Sequence, residues 1–294
     1  MTTPRSDTRI ESRLETRQLS APSPALGEAI KYLIYRPPVV NDAARLPVVY
    51  LMHGRGGSMA DVEPALVDID RCIRGRELPP FLVVAPDAPW SSRASWYVDS
   101  RFSGSPPGRP VETALIRDLI DHIDASHPTI ADRSGRIAAG VSMGGAGALR
   151  FALAQPDRFA AAICLSPAVY DPLPPGDSTI RVSVAFGRDQ VPFDPTRYEA
   201  LSYKRLLGSF GQQWPVRLWI GVSDHEARPS DPVEAGRSLD QEAAALFQAA
   251  RAVPGVDASF LVSHGGHDWT TWSAMLQTAL GDVLGQGARH GVET

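Results

Sequence analysis

The stretch Arg136-Ile-Ala-Ala-Gly-Val-Ser-Met-Gly-Gly-Ala-Gly-Ala148 joins an apolar run to a run of very small residues, with a serine at the junction. Residues 137–141 read as a short buried strand, and the small residues lead into a helix that ends near Gln155-Pro156. The pattern Gly140-x-Ser142-x-Gly144 is that of a nucleophile elbow, a sharp strand-to-helix turn that forces a serine outward. Glycines are required on either side because a Cβ there would strike the neighbouring strand and helix. The helix begins where a developing oxyanion would sit, so its free N–H groups are placed to stabilise negative charge.

Outward from the elbow, strands and helices alternate. Before it come apolar runs at 46–52 and 81–85, separated by a helical stretch at 61–74 with Val62, Leu66, Ile69 and Ile73 on one face. A longer amphipathic helix is expected over 111–127 through Leu115, Leu119 and Ile123, ended by Pro128. After the elbow, strands are expected at 161–165, 216–222 and 256–262, with helices at 233–251 and from about 269 to 284. At the start, runs at 13–19 and 29–35 suggest an antiparallel hairpin on one sheet edge, closed by Pro37-Pro38. The implied fold is α/β: a mostly parallel central sheet with an antiparallel N-terminal edge and helices on both faces.

Three segments depart from this rhythm. Residues 1–12 are polar and without period and are expected to be disordered, and 285–294 resemble a loose tail. Residues 90–110 form a long irregular stretch rich in Ser, Gly, Pro and aromatics, of the kind that is usually functional. Residues 169–214 are proline-rich, with a strand-like piece at 181–186 and a helical piece near 198–207, and are expected to form a lid-like insertion in one domain spanning 13–284.

A net charge of −4 with no like-charge block gives no footprint for nucleic acid. The arginine-rich N-terminus lacks the apolar core of a secretory signal, and no run is long enough to span a membrane, so the default expectation is a cytoplasmic protein. Cys72 and Cys164 sit among apolar residues and are expected to be buried thiols rather than a disulfide.

A serine hydroxyl needs an adjacent base, and the base needs an orienting group. Asp224 follows one strand and His267 follows the last, giving the order serine, acid, histidine at one edge of a parallel sheet. Asp224 is taken as the acid because it lies closest to its strand end, with Glu226 and Asp231 as competitors. His267 is preferred to His264 because Gly265-Gly266 lets the loop bend just before the closing helix. His264, His267 and Asp268 could be mistaken for metal ligands, but supporting spacing is missing and neither metal nor cofactor is expected. Two backbone donors are expected at the oxyanion: Met143 N–H, and Arg55 N–H in the run Gly54-Arg55-Gly56-Gly57, with Gly54 or Gly56 as alternatives. Trp96, Tyr97 and Trp269 are candidates for lining a substrate pocket.

As a set, these motifs resemble the esterase family of α/β-hydrolases, which includes esterase D-type S-formylglutathione hydrolases, feruloyl esterases, enterochelin-esterase-like proteins and mycolyltransferases. The residues that carry the resemblance are Leu51-Met52-His53-Gly54-Arg55-Gly56-Gly57, Ala139-Gly140-Val141-Ser142-Met143-Gly144-Gly145, Pro156-Asp157-Arg158-Phe159, Gly221-Val222-Ser223-Asp224 and Gly265-Gly266-His267-Asp268-Trp269. Ser95-Trp96-Tyr97-Val98-Asp99 is similar to the group's aromatic loop, and Arg55 stands where an apolar residue is usual. The resemblance implies an α/β-hydrolase fold and hydrolysis of a small-molecule carboxylic ester through a Ser142-His267-Asp224 triad and an acyl-enzyme. An acyltransferase with the same triad, or a non-catalytic binding protein of the same fold, are the other readings.

Overall fold

The computed structural model describes Leu14, residues 16–226 and residues 238–285. The expected N-terminal disorder, most of the expected tail, Asp231 and the expected start of a helix at 233 lie outside the described residues.

The main sheet has eight strands in the order β1-β2-β4-β3-β6-β7-β9-β10. β1 (Thr16–Ser23) and β2 (Glu28–Tyr35) form the antiparallel edge, and β2 also runs antiparallel to β4 (Leu82–Pro86). From β4 onward every neighbour is parallel: β3 (Val48–Met52), β6 (Arg136–Val141), β7 (Ala161–Leu165), β9 (Val216–Ser223) and β10 (Val256–Ser263). The expected sheet is the observed one. β5 (Arg101–Phe102) and β8 (Arg188–Asp189) form a separate two-stranded piece.

The central strands are apolar throughout because both faces are covered. Along β3, Val48, Tyr50 and Met52 enter one core while Val49 and Leu51 enter the other. α1 (Glu63–Arg74) covers the second core with Leu66, Ile69 and Ile73, together with Trp272, Met275, Leu276 and Ala279 of α8 (Trp269–Gly285). The first core is covered by the helix over 111–126, by α4 (Met143–Ala154) and by α7 (Leu239–Ala250). The 111–126 helix is continuous but consists of α2 (Val111–Thr113), a π-helical stretch (Ala114–Leu119) and α3 (Ile120–Ser126). Leu115, Leu119 and Ile123 are buried on it, as their spacing predicts. Cys72 and Cys164 are buried free thiols.

Residues 169–214 connect β7 to its parallel neighbour β9. They carry α5 (Pro195–Leu201) and α6 (Tyr203–Gly208), and α6 packs against α4 and α7. The strand-like piece at 181–186 is not a strand: Thr179–Val182 is a 3-10 turn started by the Ser178 side chain, and Val182 is exposed. Alternation suggested extended chain there, but with no neighbouring strand a local turn satisfies its amides instead.

Candidate active site

β6 delivers Ser142 to the C-terminal edge of the sheet. Ser142 holds φ 55° and ψ −117°, a conformation costly for any residue with a side chain. Its neighbours enforce it: Ser142 N–H donates to Leu165 O at 2.8 Å, and Ala168 N–H donates to Ser142 O at 3.0 Å. The helix can leave this sharply only because the flanking residues are glycine. A Cβ on Gly140 would lie 2.4 Å from Gly144 backbone atoms, and one on Gly144 would lie 2.3 Å from Met52 O. Met143, fully buried, opens α4.

β10 delivers the histidine. Gly265 takes φ 145°, and a Cβ there would lie 2.2 Å from Thr271 Oγ1, so the loop turns where no larger residue fits. His267 donates from Nδ1 to Glu226 Oε2 at 2.6 Å and meets the Trp272 ring edge-on at 4.8 Å. The Glu226 carboxylate is fully buried. Its other oxygen accepts from Ser223 N–H at 3.0 Å and from the Ser166 hydroxyl, which itself accepts from Trp272 Nε1 at 2.9 Å. Burial alone would push this carboxyl up; the hydrogen bonds from His267 and Ser166, the His267 charge and the Ser223 amide outweigh it and hold it below the ordinary glutamate range. With Nδ1 committed to the carboxylate, Nε2 is the nitrogen left for chemistry.

The acid beside His267 is therefore Glu226 and not Asp224. Asp224 is exposed, and its carboxylate accepts from His225 Nδ1 at 2.6 Å, His264 Nδ1 at 2.9 Å and Gly265 N–H at 3.0 Å. Proximity to the strand end misleads because direction matters more than distance along the chain. After β9 the backbone turns at Asp224 and His225, and the chain folds back so that Glu226 reaches Ser223 N–H beneath the strand end. Glu226 stands among the competitors in the sequence; the signal in its favour is its position one turn beyond the strand, where a longer side chain can return to the sheet edge.

The remaining candidates separate cleanly. Gly54 borders the nucleophile: a Cβ on it would lie in ordinary contact with Ser142 Cβ, at 3.6 Å. Gly56 N–H donates to Arg93 O at 2.8 Å and Gly57 N–H to Gly54 O at 3.1 Å, so Gly56 is committed elsewhere. The Arg55 side chain faces solvent. His53 is fully buried, donates from Nδ1 to Gly54 O at 2.7 Å, and is held below the ordinary histidine range by that burial, so it acts as a neutral prop under the loop. Arg93 ties the same loop from outside, pairing with Asp87 and donating to Gly57 O at 3.0 Å.

Trp96 lines a small cavity together with Ala146, Ala168, Tyr170, Phe186 and Tyr203, among others. Tyr97 does not: it is fully buried, with its hydroxyl donating to His53 O at 3.0 Å and its ring edge-on to His53. Trp269 also lies elsewhere, packed edge-on to Trp272 at 5.6 Å in the opposite core. Asp268 starts α8, accepting from Thr270 and Thr271 N–H, and so does not join His264 and His267 in a cluster.

A family model described as "Putative esterase" matches residues 23–283. The chain belongs to this esterase family. Esterase Rv1288 of Mycobacterium tuberculosis is 38% identical over 117 residues, which are 40% of this chain. The matched stretch spans about a quarter (24%) of that curated relative's length. Among solved structures, a ferulic acid esterase superposes with a TM-score of 0.72 at 22% identity, covering 93% of this chain and 98% of that one. An S-formylglutathione hydrolase from Agrobacterium tumefaciens superposes with a TM-score of 0.69 at 19% identity, covering 93% and 94%. At these identities the structural likeness establishes the α/β-hydrolase fold. Among the described residues, no helix is long and apolar enough to cross a membrane.

Proposed function

We propose that this protein is a serine carboxylic-ester hydrolase in which Ser142 is the nucleophile, His267 the base and Glu226 the orienting acid. The observation that carries this reading is the bond from the partly exposed His267 to the buried Glu226 carboxylate, 2.6 Å long, at the same sheet edge as the strained Ser142 elbow. His267 Nε2 takes the Ser142 proton as Oγ attacks the ester carbonyl, and Glu226 stabilises the imidazolium that forms. The amides of Met143 and Arg55 hold the oxyanion, the latter because its neighbour Gly56 is committed to Arg93. His267 then protonates the leaving alcohol, and water activated by the same imidazole releases the acid. The cavity beside α4 supplies an apolar, aromatic-walled place for one side of a small ester.

The test is covalent. A fluorophosphonate probe should label the folded protein once, on the peptide containing Ser142, and block turnover of a short p-nitrophenyl ester. No labelling, or labelling on another serine with turnover intact, would reject the assignment.

Arg93 gives a second, smaller expectation. Lysine keeps the charge beside Asp87 but cannot bridge it to the Gly57 carbonyl as the guanidinium fork does. Arg93→Lys should lower kcat by about 10- to 100-fold, the scale of a small misplacement of the oxyanion donors, with KM little changed. A rise in KM at constant kcat would instead make Arg93 a substrate-binding residue.

A further inference from the structure

We propose that Asp224, His225 and His264 form a site for a divalent transition-metal cation of the zinc type, bridging the two loops that carry Glu226 and His267. The sequence gives no reason to expect a metal, and the trio set aside there stays apart in the structure: His267 is committed to Glu226 and Asp268 to the start of α8. What the fold assembles instead comes from two strands. Asp224 and His225 follow β9, His264 follows β10, and one potential ligand atom from each lies within 4.8 Å of the others. The two imidazole rings stand 5.2 Å apart with planes at 81°, on either side of one carboxylate.

The donor set suits the ion. Two imidazole nitrogens and one carboxylate oxygen favour zinc and its transition-metal neighbours over calcium or magnesium, which prefer oxygen alone. A tetrahedral zinc ion spaces its ligand atoms by about 3.3 Å, given metal–ligand distances near 2.0 Å. Reaching that spacing from the present arrangement needs shifts of about an ångström in side chains that are 39%, 68% and 85% exposed for Asp224, His225 and His264, so no packed neighbour has to give way. Exposure also leaves the fourth position to water. Asp224 is already oriented by Gly265 N–H and lies between the two imidazoles. On binding, any ligating imidazole nitrogen now carrying a proton releases it to solvent, and the metal replaces the hydrogen bonds to Asp224.

Position gives the site its consequence. The backbones of the two loops are laced by Asp224 N–H to Ser263 O at 2.9 Å and His225 N–H to Gly265 O at 3.2 Å. A cation held by all three side chains adds a cross-link there, one and two residues from Glu226 and three from His267 along the chain.

The site stands independently of the esterase reading, and its test reads binding rather than turnover. Calorimetric titration of the full chain with Zn2+ should show one saturable equivalent, and Zn2+ should raise Tm, since a ligand bound to the native state stabilises it. Co2+ in its place should give the visible absorption of a mixed nitrogen–oxygen site. The double variant His225→Gln/His264→Gln, confirmed folded by circular dichroism, should bind Zn2+ at least about 100-fold more weakly, because it loses two direct ligands where loss of an outer-shell partner alone costs roughly 10- to 100-fold. Asp224→Asn serves as the second variant and should also weaken binding, while His267→Gln should retain it. Absence of saturable binding in the wild type, or equal affinity in the double variant, would overturn the proposal.

Discussion

Glu226→Gln should lower kcat by about 10³- to 10⁴-fold while the protein stays folded, the loss expected when a triad acid becomes an amide. A glutamine keeps the size of Glu226 and can still accept from Ser223 N–H and the Ser166 hydroxyl through its oxygen. Its amide group then faces His267 Nδ1, which must accept rather than donate. The imidazole proton moves to Nε2, the nitrogen that has to take the serine proton, and the base is blocked. Asp224→Asn touches neither group and, with a chelator present, should be at least about 100-fold less damaging. Steady-state kinetics on one chromogenic ester compares the two. If Asp224→Asn is the crippled variant, the acid has been assigned to the wrong side chain. The same substitution has a signature in stability. Because the folded Glu226 carboxyl sits below its ordinary value of 4.5, its contribution is fully present above that pH and is lost as pH falls through the folded value. Glu226→Gln should therefore flatten the acid limb of Tm against pH.

Gly144→Ala should destabilise the fold by about 3 kcal/mol or more, the upper range for forcing atoms into a packed interior. The added methyl would lie 2.3 Å from Met52 O, 2.7 Å from Met52 C and 2.8 Å from His53 O. These are main-chain atoms at the end of β3, pinned by the β6 ladder, so no flexible side chain can swing aside. A thermal melt should show Tm lower by roughly 6–12 °C for a domain of this size. Gly281→Ala is the matched control. It lies within α8, its methyl meets only Leu78 Cδ2 at 3.8 Å, and the gain in helix propensity should leave it neutral or more stable by about 1 kcal/mol. Equal melting of Gly144→Ala and wild type would show that the elbow can open without cost.

The sheet was legible because its information is local and repetitive. Apolar runs such as Val48–Met52 and Ala161–Leu165 belong to strands buried on both faces, and Leu115, Leu119 and Ile123 recur at helical spacing. The placing of Ser142 and His267 at the sheet edge was legible because glycines mark where the backbone must pass too close for any side chain. The choice between Asp224 and Glu226 was not, since both follow the same strand and only the turn decides which one points inward. Tyr97 and Trp269 illustrate a related limit. An aromatic residue beside a functional loop has the same composition signal whether it faces a ligand or props the backbone, and Tyr97 does the second through its bond to His53 O.

The stretch 169–214 also carries an evolutionary consequence. β7 and β9 are parallel neighbours, so the chain must travel from the top of one to the foot of the other, and such a crossover cannot be shortened to a hairpin. Yet Tyr170, Phe186, Tyr198 and Tyr203 of this stretch wall the cavity. A parallel crossover needs only about a dozen residues, so the connector could be trimmed, and the wall lost with it, while the sheet stayed joined. The cavity can therefore be reshaped in two ways, by substitution along the wall or by trimming the connector that carries it, and only the connection itself has to persist.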